Sequence, residues 1–186
     1  MNHYKFTGQT EDMKKTIYDI VSRVIKLDTH DLFLTGADTT MFSKKGRYLY
    51  KLPEFKELTD FVLDCCAKEK HFIVRPVVSW ANVYPKGSYI RPHNHVVPFK
   101  SMLSVVYYLQ GNGCLHFEDG IENIEEGSVV IFDGIKMHWT EPHEGSDNRI
   151  IVGFDIYHDC GDMSDEEFQA VLTEHEKYIP TLDFSA

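Results

Sequence analysis

Two long stretches of the N-terminal part repeat apolar residues at helical intervals. In "TEDMKKTIYDIVSRVIKL", Met13, Ile17, Ile20, Val21 and Val24 recur on one face, with Thr10 and two acidic residues at the start to cap a helix. In "LPEFKELTDFVLDCCAKE", Phe55, Leu58, Val62 and Cys65 follow at intervals of three and four, and Pro53 suits a first helical turn. Residues 28–50, with Gly36, Asp38, two threonines, Gly46 and an "SKK" tract, predict a long surface connection with a short strand in "RYLY".

From residue 72 the period shortens. Runs rich in Val, Ile, Tyr and Phe are cut by turn signals at "YPKG", "QGNG", "EDG", "EEG", "FDG" and "HEGSDN". Strands are predicted at 72–84, 88–95, 101–109, 113–118, 127–132, 136–141 and 148–157, a spacing that suits a sandwich or jelly roll. Ser164 and Glu167 form a capping box ahead of Phe168, Val171 and Leu172, which predicts a closing helix. The expected fold class is mainly β with flanking helices, in one domain over residues 1–186. Supporting helices and a connection occupy 1–71, a jelly-roll core 72–159, and a helix and tail 160–186. The two N-terminal helices are expected to brace one face of the core.

Composition narrows the chemistry. A chain of 186 residues that is 42% hydrophobic and 13% aromatic can bury a core without disulfides and is not a disordered polymer. Its formal charge of -10 repels phosphate backbones over most of the surface, which argues against nucleic-acid binding and leaves room only for a local basic pocket. Cys65, Cys66, Cys114 and Cys160 have no zinc-type spacing, and the adjacent pair falls in the second helix as small apolar filler. The start "MNHYKFTGQTED" lacks the pattern of a signal peptide and no apolar run reaches membrane-spanning length, so a cytoplasmic location is expected. Oligomeric state is left open, with self-association one of the alternatives.

The candidate chemistry lies in "YPKGSYIRPHNHVVPF". Residues two apart in a strand share a face, so His93 and His95 point the same way, and His138 after the "DG" turn of "GSVVIFDGIKMHW" is the candidate third ligand from a separate strand. Imidazole suits iron, zinc, copper and nickel alike, so the ligand types choose no metal. In a chain with ten histidines an H-x-H pair also arises by chance. His3, His30, His71, His143, His158 and His175 sit beside charges, in loops or near a terminus, and read as ordinary polar residues. His116 alternates with Leu115 and Phe117, which leaves open whether it faces the cavity.

Taken in order, "YPKGSYIRPHNH", "SMLSVVYYLQGNGCLHFED", "GSVVIFDGIKMHWTEP" and "NRIIVGFDI" resemble the double-stranded β-helix core of the iron(II) and 2-oxoglutarate-dependent oxygenases, near their prolyl-hydroxylase-like branch. The resemblance spans roughly residues 78–157. Tyr84 and Gly87 match the family's Y-x-x-G turn, His93 its first metal ligand, and His138 with Pro142 its distal ligand. Arg149, eleven residues beyond His138, matches the arginine that pairs with the far carboxylate of 2-oxoglutarate, and Tyr108 the tyrosine that hydrogen-bonds it. A guanidinium fork suits a carboxylate, while the metal takes the keto end. Tyr84 is counted with Arg149 and Tyr108 as cosubstrate-binding.

This sequence departs from the family twice. His95 stands where the family's facial triad has a carboxylate, giving three histidines, and Ile151 stands where many members have a serine or threonine. A poorly characterised group of similar proteins also shows H-x-H, and Trp80, Asn82, Ser104, Tyr107 and Tyr108 fit its pattern; Trp80 and Asn82 are the candidate substrate-binding residues. Three neutral imidazoles leave iron(II) at +2, which the 2-oxoglutarate dianion neutralises, at the cost of weaker metal binding in the free protein. An alternative has His95 standing off the metal and leaving a position open.

The resemblance implies an oxygenase that binds Fe(II), 2-oxoglutarate and O2, decarboxylates 2-oxoglutarate to succinate and CO2, and hydroxylates a small-molecule or peptidyl substrate. The cupins are the rival: Gly87, His93 and His95 fit their first motif and Gly127, Gly134 and His138 part of their second. Their glutamate is missing, because Val97, Pro98 and Phe99 fill that stretch, and Arg149 has no role in them. A jelly roll that binds a ligand at the same mouth without turnover is the non-enzymatic alternative.

Overall fold

The computed structural model describes residues 1–24, 36–70, 73–95, 102–158 and 163–177. In chain order the elements are β1 (Asn2–Lys5), α1 (Glu11–Arg23), β2 (Asp38–Thr39), α2 (Lys56–Lys70), β3 (Val74–Tyr84), β4 (Ile90–His93), β5 (Met102–Gln110), β6 (Gly113–Phe117), β7 (Gly120–Ile124), β8 (Ser128–Asp133), β9 (His138–Thr140), β10 (Arg149–His158) and α3 (Asp165–Glu176). Among the described residues they form two antiparallel sheets, one ordered β1-β8-β5-β10-β3-β2 and the other β4-β9-β6-β7.

The larger sheet is buried on both faces, which is why β5 reads as a nearly unbroken apolar run rather than an alternation. Val105, Tyr107 and Leu109 share one cluster with Met13, Ile17 and Ile20 of α1 and with Phe55, Leu58, Val62, Cys65 and Cys66 of the α2 region. Each large apolar side chain buried there contributes about 1.5–3 kcal/mol against exposure. The alternate residues Val106 and Tyr108 point between the sheets and join Tyr84, Leu115, Phe117, Ile124, Phe132 and Ile151. The two helices thus brace the face away from the cleft. The third helix closes one end of the core: Phe168 packs on Val77 and Met102, Arg75 pairs with Asp165 at 2.9 Å, and the Ser164–Glu167 capping box forms.

Several expectations need correction. The side chain of Thr10 makes no capping hydrogen bond; the first turn of α1 relies on Glu11 and Asp12 against the helix dipole. No strand forms in "RYLY", where Leu49–Lys51 is a 3-10 turn and only Tyr48 bridges to Ser79. The connection is not a surface segment over its described part, since Thr39, Thr40, Phe42, Arg47 and Leu49 are buried; its residues 28–35 lie outside the described residues. Strands β1, β2 and β7 fall outside the predicted strands; β7 lies between the turn signals "EDG" and "EEG", and its polar sequence is held as an edge strand by pairing with β6. The strand predicted at 88–95 ends at His93, so His95 lies beyond it and is held by its backbone N–H to the carbonyl of Gly134, at 2.8 Å. Among the described residues no helix is long and apolar enough to cross a membrane.

Candidate metal centre and the cleft behind it

Antiparallel pairing of β4 with β9 puts His93 directly opposite His138, and pairing of β9 with β6 sets His138 opposite Phe117. The His93 and His138 rings lie 4.2 Å apart between centroids, and His95 stands 5.1 and 5.0 Å from them. One ligand nitrogen from each of the three lies within 4.8 Å of the others, close enough for a single ion to draw them together.

Their outer nitrogens are all engaged. Nδ1 of His93 donates to the carbonyl of Arg91 and Nδ1 of His138 to that of Lys136, each at 2.9 Å. Nδ1 of His95 donates to Oδ1 of Asp155 at 2.5 Å. Ser104 Oγ sits 3.0 Å from the same nitrogen and donates toward Asp155 Oδ1 at 3.5 Å. In each case the proton on Nδ1 leaves the lone pair on Nε2, the arrangement a metal-bound histidine requires. Burial, with His95 nearby, pushes the pKa of His93 down to about 4. Burial, with His93 and His95 nearby, pushes His138 down to about 3. Both imidazoles are therefore held neutral at physiological pH. Burial also opposes charge on His95, but the charge and hydrogen bond of Asp155 outweigh it, and its pKa is raised.

A cleft runs between the sheets from this cluster, walled by Trp80, Asn82, Tyr84, Tyr108, Leu115 and Ile151 among others, with a free volume of about 30 Å³. The Trp80 indole lies against Gly153, where an added Cβ would come within 2.8 Å of it, and its ring is 5.7 Å from that of His95. Asn82 donates through Nδ2 to the Tyr84 hydroxyl at 3.3 Å, while its buried Oδ1 has no partner among the described residues. Arg149 opens β10 opposite Tyr84 and stacks its guanidinium 4.6 Å from the Tyr84 ring centroid. It is only 3% exposed, and Nε and Nη2 are buried without a hydrogen-bond partner among the described residues. A Cβ at Gly113 would come within 2.7 Å of Arg149 Nη1 and 2.8 Å of Tyr108 Cε1, so glycine leaves room for both side chains there. Burial raises the Tyr108 pKa, with Arg149 opposing, so the phenol keeps its proton.

The structure thus brings His93, His95 and His138 together, and packs Arg149 against Tyr84 and beside Tyr108, two residues that line the cleft. Trp80 and Asn82 line the cleft between. His116 faces away from it, stacked on Trp139 at 5.6 Å. Asp155 was not singled out from the sequence. Its signal was present, as the one acid inside the apolar run "IIVGFDI".

No protein-family model matches the chain, and no curated protein matches it. Among solved structures, a viral collagen prolyl hydroxylase from Paramecium Bursaria Chlorella virus-1, in complex with 2OG, superposes with a TM-score of 0.60 at 14% identity, covering 83% of this chain and 94% of its own. A prolyl-4-hydroxylase from Pseudomonas putida gives 0.54 at 14% identity, with 83% and 90% covered. A cupin superfamily protein from Desulfitobacterium hafniense gives 0.35 at 14% identity, with 46% and 66% covered. The chain has the double-stranded β-helix fold that its sequence resemblance implied.

Proposed function

We propose that the chain is a metal- and 2-oxoglutarate-dependent oxygenase in which His93, His95 and His138 hold iron(II) and Arg149, Tyr108 and Tyr84 hold the far carboxylate of 2-oxoglutarate. The observation that carries this reading is Arg149. A buried guanidinium without hydrogen-bond partners on two of its nitrogens is costly, and a bound carboxylate removes that cost through two parallel N–H···O bonds. Three histidines whose Nδ1 atoms are already engaged, leaving Nε2 for a metal, suit iron(II). Bound together with O2, iron(II) and 2-oxoglutarate supply decarboxylation to succinate and CO2 and hydroxylation of a substrate C–H bond.

The chain's own residues position and exclude. Tyr84 stacks on the guanidinium and fixes its plane, and the protonated Tyr108 hydroxyl donates to the carboxylate. Ile151 supplies no hydroxyl, but Asn82 faces it across the β3–β10 pair and offers an amide instead. Trp80, beside His95, stands where an organic substrate would approach the metal. The named activity of the two hydroxylases makes a peptidyl substrate the first class to test, ahead of a small molecule.

Isothermal titration of 2-oxoglutarate into anaerobic Fe(II)-loaded protein tests the reading, with His138→Ala as control. Saturable binding that needs both iron and His138 is expected. Protein shown to contain metal that takes up no 2-oxoglutarate would return the site to the cupin alternative.

A further inference from the structure

Two of the three histidines are oriented by backbone carbonyls, and the third by a charge. His93 and His138 each donate to the carbonyl two residues before them, whereas His95 donates to the Asp155 carboxylate. Asp155 is only 6% exposed, and the ion pair it makes is with His95. Two independent features of the fold aim it there. The register of β10 on β5 sets Asp155 beside Ser104, whose hydroxyl is within 3.0 Å of the same imidazole nitrogen. The register of β10 on β3 also shifts between Asp155 and Ile156, and irregularities of this kind re-aim side chains.

Resting on the reading of the three histidines as a metal site, we propose that Asp155 is the anionic group of this centre. It acts through the His95 ring in place of a carboxylate bound directly to the metal. A carboxylate that accepts the Nδ1 proton of a metal-bound histidine fixes the tautomer and makes Nε2 a stronger donor, and its charge lowers the energy of a divalent cation one ring away. Asp155 is thus a positioning residue. It steadies His95, the one ligand of the set that lies beyond the end of its strand, and strengthens its Nε2 as a donor. The charge lost from the triad is restored one shell further out, and the position it vacates is filled by a nitrogen.

Anaerobic titration of the metal-free protein with Co(II), read by its d–d absorption and by calorimetry, tests this without recourse to turnover. Asp155→Asn keeps an acceptor for the Nδ1 proton and removes the charge, and Asp155→Ser removes both. Each is expected to weaken Co(II) by about 10–100-fold. In a His95→Asp background, which puts the carboxylate on the metal itself, Asp155→Asn is expected to leave the affinity unchanged or improved, because two carboxylates no longer compete. A purely structural role for Asp155 would instead lower the melting temperature of the metal-free protein and weaken Co(II) equally in both backgrounds. That result, or Asp155→Asn binding Co(II) within about twofold of the parent, overturns the proposal while the metal site stands. A parent protein that binds no Co(II) overturns both.

Discussion

The two ends of the cleft are built on opposite terms. At the histidine end each Nδ1 already has its partner, and the vacant capacity is confined to the Nε2 atoms that face one another. At Arg149 the guanidinium is buried with Nε and Nη2 unpaired among the described residues. The first end is preorganised and stable when empty. The second carries an unmet polar demand that costs folding stability, and on the proposed reading a bound carboxylate meets it.

Replacing Arg149 by Met should separate these terms most sharply. Loss of a buried charge-assisted pair costs about 2–5 kcal/mol of binding, so 2-oxoglutarate affinity should collapse while Fe(II) or Co(II) affinity is retained. In the ligand-free protein the same change removes an unpaired buried charge, and it should raise stability toward urea by about 1–4 kcal/mol. Calorimetry and urea unfolding on one preparation check both. A variant less stable than the parent would mean that the guanidinium is already compensated and the contrast is not real.

Acid should strain the histidine end in particular. His93 and His138 are held below their ordinary value of 6.5, at about 4 and about 3, so the unfolded chain binds more protons than the native one as pH falls from 6.5 toward 4. Their neutral burial is fully tolerated above 6.5 and penalised below it, on the order of 3 kcal/mol for His93 alone. His95 works in the other sense: with its pKa raised, the stabilisation from Asp155 is present below 6.5 and is lost as pH climbs through the folded value. Urea midpoints of metal-free protein at pH 7.5 and 4.5 should fall with acid, with the same slope in Arg149→Met. A flat profile in Asp155→Asn, where the opposing contribution of His95 is removed, would mean that the two buried imidazoles are solvated.

How far the sequence foretold these ends depends on how local their causes are. The β-ladder was legible because apolar period and turn residues are local signals, and the predicted strands from 72 to 157 overlap β3 to β6 and β8 to β10. Strands β1 and β7 carry no such pattern in "NHYK" and "GIENI"; partners fix them, not propensity. The grouping of His93, His95 and His138 was foreshadowed by the H-x-H spacing and the family resemblance, which also singled out Arg149. That His95 lies off the strand was not, since its placement comes from contacts with Gly134 and Asp155, distant in sequence. Burial of Arg47 and Thr40 in the connection was likewise decided by what packs over them.

The finest test of the contrast lies at the arginine end. Tyr108 and Arg149 share the space that Gly113 leaves free, yet one is a neutral donor and the other a charge. If charge is what the ligand answers, removing the phenol should matter much less than removing the guanidinium. Tyr108→Phe keeps the ring packed in the inter-sheet core, so folding stability should hardly move. A neutral hydrogen bond is worth about 0.5–1.5 kcal/mol, which predicts a loss of roughly 2–13-fold in 2-oxoglutarate affinity. Calorimetric titration beside Arg149→Met gives the ratio directly. A Tyr108→Phe loss as large as that of Arg149→Met would show that the two donors act as one network and that hydrogen-bond geometry, rather than unpaired charge, governs this end of the cleft.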